Sequence, residues 1–61
     1  MEEITQLELQ NIKRLIETSN VLFQKLNSFS SNCVDPQIKQ MFTKAAQEEL
    51  NKKQRLISLL N

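Results

Sequence analysis

Ser28-Phe29-Ser30-Ser31-Asn32-Cys33-Val34-Asp35-Pro36 decides how this chain folds. It is the one place where an otherwise uninterrupted helical pattern breaks. The serines and Asn32 lower helical propensity, because their side chains compete for backbone hydrogen bonds. Asn32 is the expected left-handed C-terminal cap, since the chain has no Gly to take that conformation. Asp35 caps a new helix by accepting backbone N–H groups. Pro36 suits the first helical position, where its missing N–H had no partner anyway. The residue before a proline disfavours the α region, so the first helix must stop before Asp35.

Working outward, the spacing predicts a first helix from about Glu2 to Ser31 and a second from Pro36 to about Leu60. Neither contains an internal Pro or Gly. Glu2 and Glu3 would sit in the first turn of the first helix, and Lys52, Lys53 and Arg55 toward the end of the second. Both placements match the macrodipole. At 1.5 Å per residue the helices would be roughly 45 and 37 Å long. A connection spanning residues 32–35 makes them antiparallel neighbours. The expected fold class is all-α: one helical hairpin over residues 1–61, pairing with a second copy into a four-helix bundle.

The pairing is expected from size and from pattern. A chain of 61 residues has a marginal core, and small folds usually add disulfides, a metal or a partner chain. One Cys and no His provide neither of the first two. Ile12, Leu15, Ser19, Leu22, Leu26, Phe29 and Cys33 step by three and four along the first helix, which is a bundle seam. Ile16 and Phe23 lie beside it, and Ile4 and Leu9 extend it. The second helix repeats the design with Ile38, Met41, Phe42, Ala45, Ala46, Leu56, Ile57, Leu59 and Leu60. The first helix's apolar face spans roughly 160°, too wide for one neighbour to cover. Ile12, Ile16, Phe23, Met41, Phe42 and Ile57 are the expected dimer-interface residues.

The composition excludes several functions. Without Gly there is no phosphate-binding loop or dinucleotide fingerprint. Without His the commonest general base is missing. A net charge of +1 gives no pull toward nucleic acid or an anionic membrane. Lys52-Lys53-Gln54-Arg55 has no interleaved aromatic and reads as a solvated helix end. No apolar run reaches the ~18 residues of a membrane span. The acidic Met1-Glu2-Glu3 opening is unlike a signal peptide. These features lead us to expect a cytoplasmic protein with a reduced thiol at Cys33, acting without a cofactor.

Three polar positions interrupt the seam. Ser19, Glu49 and Lys52 are expected to form a polar core layer, with Ser19 level with about Glu48. Di-metal bundle proteins hold their ligands in such a layer, through Glu-x-x-His. Here Lys52 stands where the His would be, and a protonated Lys has no lone pair for a metal. The expected role is an ion pair from Glu49 to Lys52 or Lys53 that fixes register. Glu8 is expected to reach past the partner helix toward water or Arg55. Cys33, with no basic neighbour to activate it, reads as a small apolar residue closing the hairpin end.

Cys33-Val34-Asp35-Pro36-Gln37-Ile38-Lys39-Gln40-Met41-Phe42, followed by Ala45-Ala46-Gln47, resembles the helical hairpin of the spore coat protein F family. Ser58-Leu59-Leu60-Asn61, Glu8-Leu9-Gln10-Asn11-Ile12 and Lys25-Leu26-Asn27 are similar to other parts of that hairpin. The resemblance implies a ferritin-like bundle, an endospore-forming source and a structural role in the coat, with other coat proteins as further partners. Such proteins often carry His after the Ala-Gln and are often longer, with two hairpins in one chain. This chain resembles a half-size member that needs a second copy. A degenerate metal-binding bundle and a helical adaptor that captures a partner helix are the alternatives.

Overall fold

The computed structural model describes residues 4–60. It consists of two packed antiparallel helices, α1 (Gln6–Ser31) and α2 (Pro36–Ser58). Among the described residues neither helix is long and apolar enough to cross a membrane.

Helix α1 starts later than the spacing predicted. Thr5 is its N-cap, in an extended conformation. The Thr5 hydroxyl accepts the Glu8 N–H at 3.1 Å, and Glu8 Oε1 accepts the Thr5 N–H at 3.0 Å. This reciprocal pair satisfies two N–H groups that a helix start leaves open. The expected start at Glu2 is therefore corrected, and Glu2 and Glu3 lie outside the described residues. Glu8, expected to reach toward water or Arg55, is exposed to water and turns back to cap the helix at Thr5. The Thr5 backbone N–H, then the Thr5 hydroxyl, hold its carboxyl below the usual carboxylate range.

The turn runs from Asn32 to Asp35. Asn32 caps α1 in the right-handed region (φ −94°, ψ 0°), not the left-handed one expected. It needs no left-handed turn, because its backbone N–H and its side-chain amide both donate to the Ser28 carbonyl, at 3.1 and 2.9 Å. Asp35 Oδ1 accepts from the N–H groups of Gln37 and Ile38, at 2.8 and 3.2 Å, with Pro36 at the first helical position. Helix α2 ends at Ser58, and Leu59 closes it.

Three contacts fix how the helices slide on each other. The Phe29 and Phe42 rings are 5.5 Å apart. Ser30 Oγ lies 2.7 Å from Thr43 Oγ1, whose hydroxyl donates to the Lys39 carbonyl at 3.0 Å. Lys53 Nζ donates to Asn20 Oδ1 at 3.0 Å. Asn20 is thus level with Lys53, and Phe29 with Phe42. Interpolating between them sets Leu22 level with the Leu50–Asn51 step, and Ser19 with Gln54. The first turn of α2 therefore projects past the end of α1.

The seam between the helices is thin. Its only fully buried residues are Ser19, Ser30 and Ala46 among those described, with Ala46 at 1% and Ser19 at 2% exposure. Around them Leu9, Ile12, Ile16, Phe23, Leu26 and Cys33 of the first half, and Phe42, Leu50 and Leu56 of the second, are half-buried. No large apolar side chain is fully buried among the described residues. The shape follows: extents of 47 × 16 × 11 Å and a radius of gyration of 14.4 Å, against about 10.5 Å for a compact chain of this length.

Candidate functional site

Two seams compete on α1, and the structure separates them. Ile12, Ser19, Leu26 and Cys33 belong to both. The sequence placed Leu15, Leu22 and Phe29 between them and put Ile16 and Phe23 to the side. In the structure Ile16, Phe23 and Ser30 complete the contact with α2. Leu15, Leu22 and Phe29 stay 51%, 40% and 52% exposed. Recurring every seven residues, they form a straight stripe that drifts only about 20° per step. At 100° per residue the stripe lies roughly 80° from the seam.

The handedness of the helices decides what adjoins this stripe. In an antiparallel right-handed pair, the side of α1 that carries Leu22 continues onto the side of α2 that carries Met41, Ala45, Glu48, Lys52 and Leu59. Met41 is 70% exposed, and Ile38 and Leu59 are also exposed. The opposite side of the hairpin carries Lys13, Asn20, Gln24, Asn27, Thr43, Gln47 and Gln54. One broad face of the hairpin carries the exposed apolar stripe, with Glu48 and Lys52 set among it, and the other is mostly polar.

The expected interface residues divide accordingly. Ile12, Ile16, Phe23 and Phe42 line the seam within the hairpin and are half-buried there. Met41 lies on the open face. Ile57, partly exposed, lies toward the polar side. The expected polar layer also divides. Ser19 is buried in the seam, while Glu49 is level with Phe23, about one turn away along the axis. The error came from centring the turn on residues 33 and 34, when the first turn of α2 in fact overhangs α1. Lys52 is exposed, and its Nζ lies 3.3 Å from Glu49 Oε1. Lys53 turns instead to Asn20. Glu49 Oε1 is shielded from solvent and takes no hydrogen bond.

The remaining chemistry is sparse. Cys33 is a half-buried free thiol at the turn. A shallow open dent on α1 is lined by Glu17, Thr18, Val21, Leu22 and Lys25, and it borders the apolar stripe. Among the described residues no three His, Cys, Asp or Glu side chains gather where they could hold a metal ion.

Area gives the elongation a scale. A compact monomer of 7.1 kDa exposes about 4,100 Å². This hairpin exposes 5035 Å². The excess, about 900 Å², belongs to the whole elongated chain, of which the open face is one part.

No family model, curated protein or solved structure matches the chain.

Proposed function

We propose that the protein is a non-enzymatic assembly component that works as a homodimer, two hairpins joining their apolar faces into a four-helix bundle. The observation that carries this reading is the open apolar face, on which Leu15, Leu22, Phe29, Ile38 and Met41 stay 40–70% exposed. A hairpin with no fully buried large side chain among its described residues has little core of its own, and a second copy would supply the missing neighbours. The interface residues are then Leu15, Leu22, Phe29, Ile38 and Met41, with Ile12, Ile16, Phe23 and Phe42 packed behind them.

The spore coat resemblance of the turn and of α2 supports a structural role, with the coat as the place of assembly. Sedimentation velocity and circular dichroism on the same samples test the architecture. The expected result is a helical species of twice the chain mass at micromolar concentration. A folded helical monomer there refutes it. Production of the protein in growing cells as well as in sporulating ones would refute the coat role and leave the dimer standing.

A further inference from the structure

We propose that the two hairpins of this dimer lie with their turns at opposite ends, related by a two-fold axis perpendicular to the helices at the level of Leu22 and Leu50. The inference rests on the homodimer reading and specifies its geometry.

An isologous interface must be self-complementary about its axis. The open face has that property twice, about one common level. On α1, Leu15 and Phe29 lie seven residues to either side of Leu22. On α2, Met41 and Leu59 lie nine residues to either side of Leu50. Glu49 and Lys52 flank nearly the same point. Each helix thus has its own centre of symmetry, and the two need not coincide. The contacts of Asn20 with Lys53 and of Phe29 with Phe42 bring them together to within about one residue, because they set Leu22 level with the Leu50–Asn51 step.

A perpendicular axis through that level lays α1 on the partner's α1 and α2 on the partner's α2. Leu22 meets the partner's Leu22, and Leu15 meets the partner's Phe29. Met41 meets the partner's Leu59. Glu49 meets the partner's Lys52, twice over by symmetry. Glu49 Oε1 is the acceptor placed to take this contact. It is shielded, and the Lys52 of its own chain lies within ion-pair range without donating a hydrogen bond to it. The Lys52 of its own chain balances its charge at 3.3 Å, and the partner's ammonium group would add a charge-assisted hydrogen bond. An axis parallel to the helices would instead set Leu22 between the partner's Glu48 and the partner's Lys52, an apolar group among charges.

Cross-linking separates the two arrangements. With the turns apart, the two Cys33 residues lie about 33 Å from each other, being eleven residues from the axis. A disulfide needs Cα atoms within about 7 Å. Mild oxidation should leave the wild-type dimer unlinked, while Leu22→Cys in a Cys33→Ser background should link it. A wild-type dimer joined through Cys33 overturns the arrangement and leaves the dimer intact, as does a dimeric Leu22→Cys variant that does not link. A wild-type monomer overturns the dimer reading itself.

Charge reversal provides a second measurement that does not depend on a cysteine at Leu22. Glu49→Lys and Lys52→Glu should each weaken self-association by about tenfold or more, through like charges facing across the axis. Mixed together they should form the heterodimer well above the random half. Random mixing overturns the proposed contact.

Discussion

Truncating Leu22 to Ala should weaken the dimer while leaving the hairpin intact. Burying a whole Leu side chain stabilises by about 1.5–3 kcal/mol. Leu22 is 40% exposed, so a second copy can still gain about 1 kcal/mol from it. A symmetric dimer contains the residue twice, which brings the loss to about 2 kcal/mol. That is about a thirtyfold rise in Kd. Helical propensity does not oppose the test, because Ala and Leu are both strong helix formers.

Sedimentation equilibrium over a dilution series measures the change directly. Circular dichroism on the dilute end should show wild type and variant equally helical once both are monomers. Phe23→Ala, one residue away, is the contrasting case. Phe23 is half-buried in the hairpin seam, so its loss should lower helicity and melting temperature at every concentration, by up to about 3 kcal/mol. The reasoning fails if Leu22→Ala keeps a Kd within about twofold of wild type. It fails equally if the two variants behave alike, since the distinction between seam and open face would then have no energetic content.

Three further outcomes follow from the ends and the middle of the hairpin. Asp35→Ala removes the acceptor shared by the Gln37 and Ile38 N–H groups, and should cost about 1 kcal/mol in a urea titration. Glu8 has its carboxyl held below the usual range by Thr5, so the stability it adds is present above the ordinary carboxylate pKa and is lost as pH falls through the lowered folded value. The protection of the Thr5 amide relative to its intrinsic exchange rate should accordingly fall as pH drops below the ordinary carboxylate range, and Glu8→Gln should abolish that dependence while keeping the cap. Ala46→Leu forces extra carbons into the closest approach of the helices, where exposure is 1%. It should destabilise by about 1–3 kcal/mol, read as a drop in melting temperature of roughly 4–8 °C per kcal/mol.

The helix type and the turn were legible because their signals are local. Asp35 and Pro36 act through backbone atoms two or three residues away, and the structure realises both hydrogen bonds. The Thr5-x-x-Glu8 signature was equally local, and could have been read in the sequence. The apolar Ile4 and the acidic Glu2 and Glu3 drew the expected start upstream of it. The choice between the two seams was not local. Leu15, Leu22 and Phe29 are collectively more apolar than Ile16, Phe23 and Ser30, so hydropathy favours them. What the sequence of α1 does not show is that the Ser30 hydroxyl meets Thr43, which makes a serine welcome in the seam. Register was illegible for the same reason: it depends on the overhang of α2 and on the pairing of Lys53 with Asn20, thirty-three residues apart.

The small residues explain why so much apolar surface is left outside. Ser19, Ser30 and Ala46 are the positions buried completely among those described, and none has a side chain beyond two heavy atoms. Small side chains at a contact let two helices approach closely. Close approach leaves no room for a Leu or Phe in the middle, so the large residues splay to the flanks. They splay unequally, because one flank carries Asn20, Gln24 and Asn27 while the other carries Leu15, Leu22 and Phe29. A hairpin built this way gains precise helix spacing at the expense of a core. Its largest apolar groups can be covered only by something packed against one face. The self-complementary spacing of that face is the feature that the proposed second copy would match.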